Sequence, residues 1–150
     1  MWFSISLKRT RDFLKGPSLL IFLLALSISG CASKTIGSDA VAAYNDHPLS
    51  VTIPSDASAE YVEKSMVRVL VGRNWAVQSH TKEKVVGKIA HRGWDATVSL
   101  LSDGSVIRIM SNATQKNIST GEVAPAVPLG WLKNIQKDLG AALSTPQLIY

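Results

Sequence analysis

At 150 residues the chain has room for one domain, and its single cysteine excludes an internal disulfide framework. The net charge of +5 is concentrated ahead of Leu19, where Lys8, Arg9, Arg11 and Lys15 face only Asp12, leaving twelve basic and ten acidic residues beyond it. That remainder holds no run of like charges and no basic patch alternating with aromatics, so the composition argues against nucleic-acid binding.

Residues 1–18 form a positively charged leader, and Leu19 to Ile28 are ten uncharged, mostly apolar residues running into Ser29-Gly30-Cys31. Ten is well short of the ~20 apolar residues a spanning helix needs. Ile28-Ser29-Gly30-Cys31 resembles the lipobox of bacterial lipoproteins: an aliphatic residue, two small residues and a cysteine. The resemblance implies a signal peptide over residues 1–30, cleavage between Gly30 and Cys31, and lipidation of Cys31. Each buried acyl methylene then contributes about 0.8 kcal/mol to anchoring. Enterobacterial-type sorting retains lipoproteins in the inner membrane through an Asp after the cysteine. Ala32-Ser33 follow here, which implies an outer-membrane anchor facing the periplasm.

Residues 31–48 are small and polar and read as the lipidated cysteine and a flexible tether, with at most one helical turn over Ala40–Tyr44. Leu49, Val51 and Ile53 alternate with Ser50 and Thr52 between Pro48 and Pro54, a short strand expected at a sheet edge. Ser55-Asp56 is the expected N-cap of a helix over Ala57–Val71, with Gly72 as its C-cap. Ala59, Val62, Met66, Val69 and Leu70 recur at helical spacing and form its core stripe.

Beyond Asn74 the period becomes two. Strands are expected over Trp75–Gln78, Val85–His91, Trp94–Leu101 and Ser105–Met110, joined by turns at Thr81–Glu83, Arg92-Gly93 and Asp103-Gly104. Two-residue turns would set Gly87 opposite Val98, Ile89 opposite Ala96 and His91 opposite Trp94. They would also set Leu100 opposite Ile107 and Val98 opposite Ile109. One face then carries Val85, Ile89, Trp94, Ala96, Val98, Leu100, Ile107 and Ile109, the core face. Trp75 and Val77 join it only if the first hairpin contains an odd loop or a bulge, and the odd loop is the expectation.

Residues 111–127 read as a long irregular connection. Leu132, Ile135, Leu139 and Leu143, with Trp131 and Ala142 beside them, return to helical spacing and predict a helix over Leu129–Leu143. Residues 145–150 are a short tail. The expected fold is α+β: a two-layer sandwich over residues 49–144, with an antiparallel meander of about four strands and two amphipathic helices on one face.

The helix end at Arg73-Asn74-Trp75, the strand Val86-Gly87-Lys88-Ile89, the turn Arg92-Gly93-Trp94-Asp95-Ala96 and the helix Trp131-Leu132-Lys133-Asn134-Ile135 together resemble a group of small uncharacterised proteobacterial lipoproteins. The resemblance spans residues 57–143. Its aromatic and glycine positions imply packing and turns, with no catalytic residue to carry over. The connection before the last helix departs from that pattern, being Pro- and Ala-rich.

The chemistry-bearing residues do not assemble into a recognisable motif. His47 lies in the tether while His80 and His91 fall at opposite ends of one hairpin, too far apart to share a metal. Neither a Gly-x-Ser-x-Gly elbow nor a glycine-rich phosphate loop occurs, and Glu60 and Glu63 read as a solvated helix face. No catalytic residue, metal or cofactor is indicated. The second sheet face is more informative. Val86, Leu101, Val106 and Met110 lie there among Lys88, Thr97, Ser99 and Arg108, with Leu101 expected opposite Val106 and Val86 opposite Ser99. A half-apolar face rimmed by Lys and Arg suits protein docking, unless the tail or residues 49–53 cover it. The leading expectation is a non-enzymatic adaptor or structural lipoprotein of the cell envelope that binds another envelope protein. The alternative is a binder of a small ligand or peptidoglycan fragment, with its site between the sheet and residues 111–128.

Overall fold

The computed structural model describes residues 36–144, all within one unit, Lys34–Tyr150. Residues 1–35, with the lipobox and Cys31, and the tail 145–150 lie outside the described residues. The elements in chain order are α1 (Ser38–Asp46), β1 (Leu49–Thr52), α2 (Ala59–Gly72), β2 (Ala76–His80), β3 (Lys84–His91), β4 (Trp94–Ser102), β5 (Val106–Lys116), β6 (Val123–Pro125) and α3 (Leu129–Ser144). The fold is α+β, an antiparallel sheet layered against helices. The sheet runs β1-β5-β4-β3-β2, with β6 also paired to β5. The expected meander runs from β5 out to the edge at β2, and β1 takes the other edge, as expected.

Helix α2 forms because its apolar residues recur on one stripe. Val62, Met66, Val69 and Leu70 are buried, joined by Ser65, while Ala59 is exposed. The N-cap is Ser58 rather than Ser55-Asp56: its hydroxyl accepts the Tyr61 N–H at 3.2 Å. Nor is Gly72 the cap, since it is still helical. Asn74 instead takes the left-handed conformation (φ 61°), and the amides of Asn74 and Trp75 donate back to Val71 and Leu70 at 3.0 and 2.9 Å. This closes the helix as a Schellman motif, with asparagine where glycine is commoner. Its apolar contact is Trp75 folding back beside Leu70.

The first hairpin breaks parity with a bulge and not with the expected odd loop: His80 pairs with Val85, leaving four residues between them. Val77 pairs with Gly87, but the register then shifts so that Ser79 pairs with Val86. That extra residue turns Trp75 and Val77 toward the core, where Trp75 is 4 % exposed. The Arg92-Gly93 turn keeps its expected register, with Gly87 opposite Val98 and His91 opposite Trp94. Both turn residues have positive φ (49° and 80°), the requirement of a type I′ turn.

The Asp103-Gly104 turn departs from expectation. Leu100 pairs with Ile109 and Ser102 with Ile107, so residues 103–106 form a four-residue connection. Asp103 lacks positive φ and uses its carboxylate instead, accepting the amides of Ser105 and Val106 at 3.0 and 2.9 Å. The register moves by two residues, an even number, so the core face survives. Val85, Ala96, Val98, Leu100, Ile107 and Ile109 are all fully buried against Leu132, Ile135 and Leu139 of α3 and the stripe of α2.

Two segments are more ordered than the sequence reading. Residues 111–116 continue β5, and 123–125 form β6, so the expected irregular connection is largely a hairpin. Residues 38–46, assigned to the tether, are helix α1. The Tyr44 hydroxyl donates to the Ile109 carbonyl at 2.6 Å, and the Asn45 amide exchanges two hydrogen bonds with the backbone of Ser111, at 2.9 and 3.1 Å. These groups fill the gap along β5 between β1 and β6, where strand pairing is missing. Small and polar composition concealed this helix because it docks through edge hydrogen bonds more than through an apolar stripe. Between the main helices, the Tyr61 hydroxyl donates to Ala142 at 2.6 Å, and Gln136 ties α3 to β1 through the Ser50 carbonyl.

Candidate functional site

The residues singled out as a partner face do share one face of the sheet, opposite α2 and α3. Val86 on β3, Leu101 on β4, and Val106 and Met110 on β5 are all half-buried, while Lys88 and Arg108 are exposed. Their neighbours differ in part from expectation. Val86 stands opposite Ser99 and Ser99 opposite Met110, but Leu101 stands opposite Arg108 rather than Val106, the consequence of the longer turn. Strand β1 does not cover this face: it pairs in-plane at the edge, with Thr52 opposite Val106 and Ser50 opposite Arg108.

The rim cations are already paired. Lys88 lies 3.3 Å from Asp95, and Arg108 lies 2.8 Å from Asp103. The Arg108 guanidinium, followed by the Ser105 and Val106 amides, holds the Asp103 carboxyl well below the usual carboxylate range. The face therefore offers scattered apolar contact beside two neutralised cations, Lys88 and Arg108, with Lys84 standing opposite Leu101.

A second feature escaped sequence reasoning. Trp131, at the start of α3, gathers three rings around it: Trp75 at 6.1 Å and nearly perpendicular, Trp94 at 5.7 Å and His91 at 6.4 Å. Beside this cluster a cleft of about 590 Å³ is bounded by Trp75, His91, Trp131, Asn74 and Asn134, and by the Arg73–Asp138 ion pair at 2.6 Å. Each member of the pair favours the charged form of the other, raising the Arg73 pKa and lowering that of Asp138. With the pair internally neutralised, the cleft presents aromatic surface and side-chain amides, groups suited to an uncharged polar ring. The pairing of Trp94 with His91 was legible in the sequence. Their meeting with Trp131, across some forty residues, was not.

Residues 111–128, where a ligand site was the alternative expectation, border a second concavity of about 440 Å³ lined by Ile36, Arg92, Lys116, Ile118 and Glu122. The histidines are separate: His80 sits 2.8 Å from Glu63, while His91 joins the aromatic cluster. Glu60 pairs with Lys64 at 2.7 Å on the exposed face of α2. Among the described residues no group of three His, Cys, Asp or Glu is placed to hold a metal ion, and no helix is long and apolar enough to cross a membrane. No protein-family model, curated protein or solved structure matches the chain.

Proposed function

We propose that the chain is a lipid-anchored, non-enzymatic component of the bacterial cell envelope, an adaptor whose domain faces the periplasm and docks another envelope protein through the outer face of its sheet. The anchor rests on Ile28-Ser29-Gly30-Cys31 and the basic leader before it. The observation that carries the docking role is the open face itself, where Val86, Leu101, Val106 and Met110 stand half-exposed on a rigid sheet while both large helices occupy the other side. Leu101→Arg should abolish a crosslinked partner obtained from intact envelopes and keep the native far-UV spectrum. Val71→Arg, on α2, should leave that partner in place, and capture insensitive to Leu101→Arg would remove this face from consideration. Palmitate labelling that is lost in Cys31→Ser supports the anchor; unaltered processing in that variant rejects it. A second reading, a module for a small polar ligand such as a peptidoglycan fragment, is favoured by the aromatic cleft at Trp131, and titration of tryptophan fluorescence with such fragments is its measurement.

A further inference from the structure

Three of the four exposed large apolar residues among those described belong to one end of the domain: Ile36 (50 % exposed), Ile118 (88 %) and Val123 (58 %). Ile36 and Ile118 line the same concavity, and Val123 lies on the same hairpin, paired with Lys116. Single exposed apolar side chains are ordinary on protein surfaces. What distinguishes these is where the chain comes from. Ile36 bridges Ala126, and the Gly37 amide donates to the Pro125 carbonyl at 2.7 Å, so Ile36 and Gly37 are pinned to the β5–β6 hairpin. Five Cα steps separate Cys31 from Ile36, and at ~3.6 Å per step they reach no further than about 18 Å.

The hairpin tip is also built to hold its shape. The Asn117 side-chain oxygen accepts the amides of Ser119 and Thr120 at 2.9 and 3.3 Å, and the Asn117 amide donates to the Glu122 carbonyl at 2.7 Å. Ile118 is thus held outward at a turn position where Gly, Asn, Asp and Ser are the usual occupants.

We propose that the β5–β6 hairpin rests on the lipid bilayer, with Ile118 entering the boundary between headgroups and acyl chains and Arg92 and Lys116 facing anionic headgroups. This rests on the lipoprotein reading, since acylated Cys31 is what brings the hairpin to the membrane. Once it is tethered within so short a reach, the effective concentration of the hairpin at the surface is high, and one or two apolar side chains suffice to orient the domain. The sheet then stands with its strands rising from the membrane, the Arg92-Gly93 and Asn117–Glu122 turns down and the Asp103-Gly104 turn up. Its outer face is left open sideways to a partner.

The test uses the full-length acylated protein in vesicles of phosphatidylethanolamine with a minority of phosphatidylglycerol. A nitroxide is placed at Ile118→Cys, or at Lys82→Cys in the turn at the opposite end of the sheet. With Cys31 acylated, the introduced cysteine is the one labelled. The expected result is a label at 118 that collides with oxygen and is shielded from a water-soluble nickel chelate, while the label at 82 behaves in the reverse way. Protein that floats with the vesicles but leaves the label at 118 as open to nickel as the label at 82 overturns the hairpin contact and keeps the anchor. Protein that fails to float overturns the anchor, and the hairpin contact with it.

Discussion

Gly87 stands between Val77 and Val98 on the core face of the sheet, beneath the end of α2. A Cβ at this position would lie 2.9 Å from Leu70 Cδ1 and 3.4 Å from Trp75 Cβ, so the strand carries glycine to let the helix terminus approach. Gly87→Val is therefore expected to destabilise the fold by about 2 kcal/mol through overpacking, read as a lower urea midpoint at unchanged slope. The same crowding ties Gly87 to Asn74, whose left-handed backbone brings Trp75 back beside Leu70. A glycine inside an alternating run is legible in the sequence as a close approach, but the atoms that approach it come from another element.

The turns show how one local choice sets a register. At Arg92-Gly93 the backbone supplies both positive φ values, and the strands follow from a two-residue loop. At Asp103-Gly104 the carboxylate competes: it binds two amides of the loop, and Arg108 from β5 at 2.8 Å, and draws out a four-residue connection. Because these partners depress the Asp103 pKa below its ordinary 3.8, their stabilising contribution is present above that pH and is lost as pH falls beneath it. Asp103→Ala should accordingly lower the thermal midpoint at pH 7, with the difference from wild type narrowing as pH falls below 3.8. A pH-independent difference would show that the carboxylate charge has no part in the turn.

For the molecule as a whole, the boundary of the domain lies further upstream than composition indicated. Helix α1 completes the open edge of β5: Tyr44 caps the Ile109 carbonyl, Asn45 pairs with Ser111, and the Ala126 amide donates to Ala113 at 2.9 Å where the next strand begins. Burial also pushes the Tyr44 hydroxyl up to about 12, as befits a donor set against the core. A chain beginning at Leu49 loses the three side-chain bonds from Tyr44 and Asn45. At about 1 kcal/mol each it should be less stable by on the order of 3 kcal/mol than one beginning at Lys34, and more prone to associate through the uncovered edge of β5. Equal denaturation midpoints for the two chains would show that α1 is an appendage.

Local chemistry was enough to determine the class of the fold, the α2 and α3 stripes, the need for a change of parity in the first hairpin and the core face of the meander, while the device that changes the parity, a bulge in place of an odd loop, was not legible. Periodicity reports burial directly, and the parity of a strand survives a register error of two. The sequence by itself also carries the whole case for the anchor at Cys31. Tertiary structure alone decided the placement of α1, the extension of β5, the partner of Leu101 and the meeting of Trp75, Trp94 and Trp131. Each depends on contacts between residues distant in the chain, and a hydrogen bond to a strand edge or a ring packed end-on leaves no period for the sequence to display.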